Sequence, residues 1–184
     1  MKNHKIEPIR DKALLQEFIG QLRQGRNGKR NALLFKLGIT TGLRVSDLIK
    51  IKVSDVVGKN SFTLVEQKTH KSRVVDLKEV LSDLIEYLPT VKSEWLFPSS
   101  VNPTNHIGTH QVYVFITKTA DNLGLKNIAT HTMRKTFGYF FYRDTKDIAT
   151  LMRILNHSSQ AITLRYIGVE EEQVKESMAS FRIF

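Results

Sequence analysis

Residues 154–168, ILNHSSQAITLRYIG, decide how the rest of the chain is read. A helical pattern breaks at Asn-His-Ser-Ser and resumes, presenting Tyr166 nine residues after His157. A tyrosine among Ile162, Leu164 and Ile167 is ordinarily core packing with its hydroxyl at the surface. That account holds only if the remainder of the chain supplies no chemical partners for the phenol.

Working outward, the C-terminal half reads as helices: HQVYVFITKTADNLG from His110, HTMRKTFGYFFYR from His131, DIATLMRILNH from Asp147, and a last one near 169–181. Thr130 is a plausible cap for the helix that carries His131. In the N-terminal half, DKALLQEFIGQLRQG places Leu14, Leu15, Phe18, Ile19 and Leu22 on one stripe behind an Asp11 cap. RNALLFKLGITTGLR is a second helix that stops at Thr-Thr-Gly. SFTLVEQ and SRVVDL alternate as two short strands around the polar tip Lys68-Thr69-His70-Lys71, and LKEVLSDLIEYLP is a helix ended by Pro89. SEWLFPSS is an extended piece. The expected class is mainly α with a small antiparallel β-sheet, in one domain over residues 1–184.

The 184 residues carry 28 Lys+Arg against 18 Asp+Glu, and a basic excess of that size points to a polyanionic partner. No apolar run nears the ~18 residues of a membrane span, and the start MKNHKIEPIRDK lacks the apolar stretch of a signal peptide. Nucleic acid in the cytoplasm is the expected partner. With no cysteine there is no disulfide framework, thiolate metal site or cysteine nucleophile. His106 and His110 are spaced i, i+4 but straddle a loop with no third ligand, so no metal is expected there.

Charge-bearing residues recur in patterns that are commonplace singly. TTGLRVSDL sets Arg44 just past Gly42, with Asp47 one turn on; HTMRKTF puts His131 and Arg134 on one helix face. Each alone is a solvated helix face or a surface ion pair. Together they form a different object. Arginine forks match the oxygens of a phosphate, and fixed donors stabilise the extra charge of an attacked phosphodiester with no metal required. A tyrosine hydroxyl can attack phosphorus and a lysine can protonate the leaving oxygen.

TGLRVSDL, QKTHKSRVV, THTMRKTFG and LNHSSQAITLRY, in this order, resemble the successive motifs of the tyrosine recombinase (phage integrase) family. The resemblance covers nearly the whole chain and corresponds to that family's catalytic domain. It implies that Tyr166 is the nucleophile forming a 3′-phosphotyrosine link, and that Arg44 and Arg134 clamp the non-bridging oxygens. It further implies that His131 assists proton transfer, His157 donates a hydrogen bond to the phosphate, and Lys68 is the general acid. Asp47 matches a supporting acidic position. Lys71, beyond the hairpin tip, is a rival for the acid role, and Lys71, Arg73 and Lys135 are expected to contact DNA. Asn156 stands where the family usually has glycine, and an asparagine tolerates the left-handed turn such a glycine would serve.

The resemblance also implies site-specific strand exchange on double-stranded DNA: integration, excision or inversion. It needs no cofactor and works on a homo-tetramer built from solution monomers, with a DNA-bending accessory protein as a further partner and no membrane. The acidic and apolar tail, about residues 168–184, is expected to be a helix that contacts a neighbouring protomer. Family members commonly carry an N-terminal DNA-gripping domain, which is not expected within these residues. Either the sequence is a trimmed piece of a longer chain, or it is a naturally short member similar to the compact invertases that switch bacterial fimbrial genes. A topoisomerase of type IB and a catalytically silent DNA-binding regulator stand as alternatives.

Overall fold

The computed structural model describes residues 6–169, 178, 179, 181 and 182. Helix α1 (Lys12–Leu22) starts where expected, with the Asp11 carboxylate accepting the Leu14 N–H at 2.7 Å. Helix α2 (Gly28–Thr41) ends at Gly42, whose φ of 64° terminates it in the left-handed region. Besides that φ, a Cβ at Gly42 would lie 2.3 Å from the Phe137 ring, so glycine serves both the turn and the close approach of that side chain.

Two one-turn helices follow, α3 (Val45–Leu48) and α4 (Val53–Val56). Neither was expected, because four residues are too few to show a helical period. Strands β1 (Ser61–Val65) and β2 (Ser72–Asp76) form the expected antiparallel hairpin, with Ser61 opposite Asp76 and Val65 opposite Ser72. Its tip is closed by Glu66 N–H to the Lys71 carbonyl at 3.0 Å and His70 N–H to the Glu66 carbonyl at 2.8 Å. His70 takes φ 54° there.

The helix read over LKEVLSDLIEYLP is shorter than expected. A 3₁₀ turn at Lys78–Val80 leads into α5 (Leu81–Tyr87), and Pro89 sits inside a second 3₁₀ turn, Leu88–Thr90. Proline has no N–H to lose at the start of such a turn, so it redirects the chain instead of stopping it. The extended piece after it forms isolated bridges, Lys52 with Trp95 and Pro98 with His106.

Helices α6 (Thr109–Asn122), α7 (Thr130–Thr145), α8 (Ile148–Leu155) and α9 (Gln160–Ile167) complete the described chain. Thr130 is the first residue of α7 and not its cap. The Thr132 hydroxyl takes the capping role, accepting the Ala129 N–H at 3.1 Å and donating to the Glu7 carbonyl at 2.9 Å. Most of the tail expected as a last helix lies outside the described residues.

The main core joins α1, α2, α5 and α6, with Phe18 and Phe35 packed at 4.8 Å between ring centroids. A smaller apolar cluster of Tyr139, Leu151, Leu155, Ile167 and Val169 holds α7, α8 and α9 together. No described helix is long and apolar enough to cross a membrane.

Candidate active site

The C-terminal ends of α2 and α8 converge on one side chain. Arg134, buried on α7, donates from Nη1 to the Gly42 carbonyl and from Nη2 to the Leu155 carbonyl at 2.9 Å. Helix C-termini expose unpaired carbonyls and partial negative charge, which is what a guanidinium removed from water needs. Burial and the neighbouring Arg44 push its pKa down to about 10, with Tyr166 and Glu66 opposing, so it remains a cation at neutral pH.

Arg44 leaves the chain at the start of α3, immediately after the Gly42 turn, and its Nη1 donates to Glu66 Oε2 at 2.7 Å. The same Glu66 oxygen accepts from the Thr69 hydroxyl at 3.0 Å, and Oε1 lies 3.6 Å from Arg73 Nη1. Arg73 also donates to the Thr41 carbonyl. Burial works to raise the Glu66 carboxyl, but the hydrogen bonds from Thr69 and Arg44 outweigh it and hold the group below the usual carboxylate range.

Asp47, fully buried on α3, accepts the Gln67 N–H at 3.0 Å. That bond fixes the backbone one residue before Lys68. Lys68 is exposed at the hairpin tip, and its charge is among those felt by His131. Lys71 is exposed too and points elsewhere, its Nζ donating to Asn156 Oδ1 at 2.6 Å. It lines a cleft of about 470 Å³ with Arg73, Asn156 and His157.

Asn156 ends α8 at φ 50°, ψ 49°, the left-handed turn expected of it. The chain then re-enters α9 behind the Ser159 cap, which accepts the Ile162 N–H at 3.2 Å. This turn places His157 edge-on to Tyr166, with ring centroids 5.0 Å apart. His157 Nδ1 is 3.1 Å from the Thr163 hydroxyl. Tyr166 is half-buried. Burial raises its pKa against the charges of Arg134 and Arg44, so the phenol is protonated at rest. Burial and the cations around them lower both His131 and His157, which favours neutral imidazoles.

A half-buried phenol, two arginines, two neutral histidines and a hairpin lysine thus share one site, assembled from α2, α3, the hairpin, α7 and α9. The pattern of the phage integrase family matches residues 11–173. The chain belongs to the phage integrase family. A probable integrase/recombinase, YoeC of Bacillus subtilis (strain 168), is 42% identical over 183 residues, covering 98% of each chain. The crystal structure of XerA recombinase superposes with a TM-score of 0.75 at 21% identity, over 99% of this chain and 66% of that one. A lambda integrase tetramer bound to a Holliday junction gives 0.68 at 14% identity, over 88% and 48%. The chain therefore spans about half to two-thirds of these longer integrases. It has the fold of their family: mainly helical, with a small antiparallel sheet.

Against that family pattern the structure brings Arg44, Arg134, His131, His157 and Tyr166 into one cluster, with Asp47 behind them and Lys68 at its edge. Two residues expected to face DNA do not face outward. Arg73 is turned inward onto Thr41 and Glu66. Lys135 is buried, with Nζ 4.9 Å above the Tyr166 ring, because its position on α7 faces α9. Glu66 was missed altogether. The only signal for it is an acid at the end of a strand whose neighbours are apolar, next to the lysine-bearing tip. His106 and His110 have separate aromatic neighbours, Trp95 and Tyr113, and among the described residues no three His, Cys, Asp or Glu side chains gather.

Proposed function

We propose that this chain is a site-specific DNA recombinase that cleaves and rejoins strands through a 3′-phosphotyrosine intermediate. The convergence of Tyr166, Arg134 and Arg44 supports it most directly, since each of the two guanidinium charges acts on the phenol. In the forward step the Tyr166 oxygen forms a bond to phosphorus as the P–O5′ bond breaks. The phenolic proton passes to the neutral His131, and the electron pair on O5′ is protonated by Lys68. Arg44, Arg134 and a His157 donor stabilise the added charge on the non-bridging oxygens. The phosphodiester energy is retained in the tyrosyl ester, so a 5′-hydroxyl from another strand can reverse the step without ATP.

Duplex DNA is the substrate, and four protomers act together on it, as the lambda integrase tetramer does on its junction. The tail would then reach a neighbouring protomer, and an accessory DNA-bending protein would shape the site. The basic balance of the chain and the DNA-bound relative support this reading, in which the protein works on DNA of the bacterial nucleoid in the cytoplasm.

The decisive experiment is covalent trapping. Nicked duplexes spanning the gene's own flanking DNA are incubated with wild type and with Tyr166→Phe, denatured and resolved on a gel. An adduct seen only with wild type is the expected result. An adduct that persists in Tyr166→Phe would assign the nucleophile elsewhere.

A further inference from the structure

Two carboxylates lie buried beside the three arginines of the site, and they do different work. Asp47 bonds backbone, at Gln67. Glu66 bonds a guanidinium of the candidate site, at Arg44. We infer that Glu66 is a positioning residue that fixes Arg44 for the scissile phosphate. The inference rests on the recombinase reading above.

Arg44 needs such a partner. It begins α3 from a position with no side-chain cap, and an unrestrained arginine side chain samples many rotamers. It also sits in a cluster where cations repel: Arg44 and Arg73 both work against the charge on Arg134. In a partly desolvated pocket that repulsion is stronger than in water and would drive the half-buried Arg44 outward. A single bond to Glu66 takes one of the five N–H donors of Arg44 and sets the direction of the rest of its fork.

Glu66 is itself over-determined, which is what a positioning group requires. Its backbone closes the hairpin tip through Lys71 and His70. One carboxylate oxygen is shared by Arg44 and the Thr69 hydroxyl, and the other faces Arg73, which is tied to the end of α2. With only 4% of its surface exposed, Glu66 has little water to compete for these bonds. The arrangement locks the arginine to the hairpin that carries Lys68, so acid and clamp keep one register.

The test separates positioning from plain stabilisation by changing the phosphate. Adduct formation is timed for wild type, Glu66→Gln and Arg44→Ala on the trapping duplex in three forms. These carry an ordinary phosphate, a neutral methylphosphonate, or a 5′-bridging phosphorothiolate whose thiolate leaves without a proton. Glu66→Gln should slow the ordinary substrate by about 10- to 100-fold, the scale of a misplaced reacting group. On the methylphosphonate, which has less charge for Arg44 to meet, that deficit should shrink severalfold, in parallel with Arg44→Ala. On the phosphorothiolate it should persist. An equal deficit on all three, a deficit relieved only by the phosphorothiolate, or a wild-type rate would each overturn the inference.

A denaturant-unfolding double-mutant cycle of Glu66→Gln and Arg44→Ala reads the same contact without activity. Non-additive losses are expected, and additive ones would overturn it. Should wild type form no adduct on any duplex, the recombinase reading fails, and the cycle still decides whether Glu66 holds Arg44.

Discussion

The Thr163 hydroxyl lies between His157 Nδ1 and the Ser159 carbonyl, 3.1 Å from each. It has one proton to give. Directed at Nδ1, it leaves the neutral imidazole with its proton on Nε2, the tautomer able to donate to a phosphate oxygen. Directed at Ser159, it accepts from Nδ1–H and leaves Nε2 bare. Thr163 therefore governs what His157 can do, from a position that is fully buried.

Thr163→Val, similar in shape but without the hydroxyl, should slow adduct formation about tenfold, roughly the worth of one hydrogen bond. His157→Gln should remove most of that sensitivity. Single-turnover rates of the two single variants and the double variant check this; additive effects would separate Thr163 from His157.

Arg44→Ala and Arg134→Ala should each reduce cleavage by roughly 10²–10³-fold, as for loss of a transition-state donor. Arg134→Ala should cost more stability than Arg44→Ala, since it strands the Gly42 and Leu155 carbonyls in the interior at about 1–3 kcal/mol, whereas Arg44→Ala gives up its bond to Glu66. At this chain length each kcal/mol lowers Tm by roughly 2–4 °C. Calorimetry beside the cleavage assay distinguishes the two.

Lys68→Ala should be rescued by a 5′-bridging phosphorothiolate, because a thiolate leaves without general-acid help. Lys71→Ala should need no rescue on either substrate, its Nζ being engaged with Asn156. If Lys71→Ala is the variant that the sulfur substrate restores, the acid role passes to it.

The histidines give a pH dependence of definite sign. Burial and neighbouring cations lower His131 and His157 in the folded chain, so the unfolded chain binds more protons near and below pH ~6.5. Their contribution is thus fully present above about 6.5 and is lost as pH falls through the lowered folded values. Tm measured from pH 7.5 to 5 should fall on the acid side, and the His131→Gln, His157→Gln pair should flatten that slope. Cleavage should fall over the same range as His131 loses its ability to accept the phenolic proton.

Much of the site was legible because its residues lie in short stretches whose spacing survives folding: Arg44 with Asp47, His131 with Arg134, His157 with Tyr166. The chain order of those stretches pointed to their convergence. Glu66 was not legible, since its meaning depends on Arg44, 22 residues away, and on Arg73 across the hairpin. The inward turn of Lys135 and Arg73 was not legible for a related reason. Charge alone does not say which way a side chain turns, and packing of α7 on α9 sets Lys135 over the face of the Tyr166 ring. The long helices were legible from their apolar stripes, whereas α3 and α4 hold too few residues to carry one.

The division of the interior into two clusters bears on how the nucleophile is kept. Ile167 and Val169 secure the Tyr166 helix to Tyr139, Leu151 and Leu155, outside the main core. Burying two aliphatic side chains is worth roughly 3–6 kcal/mol, comparable to a fraction of a domain's net stability. The helix that carries the Tyr166 phenol is therefore expected to open at a lower cost than the main core that frames the arginines. Amide hydrogen exchange should register this as faster opening in α9 than in α2.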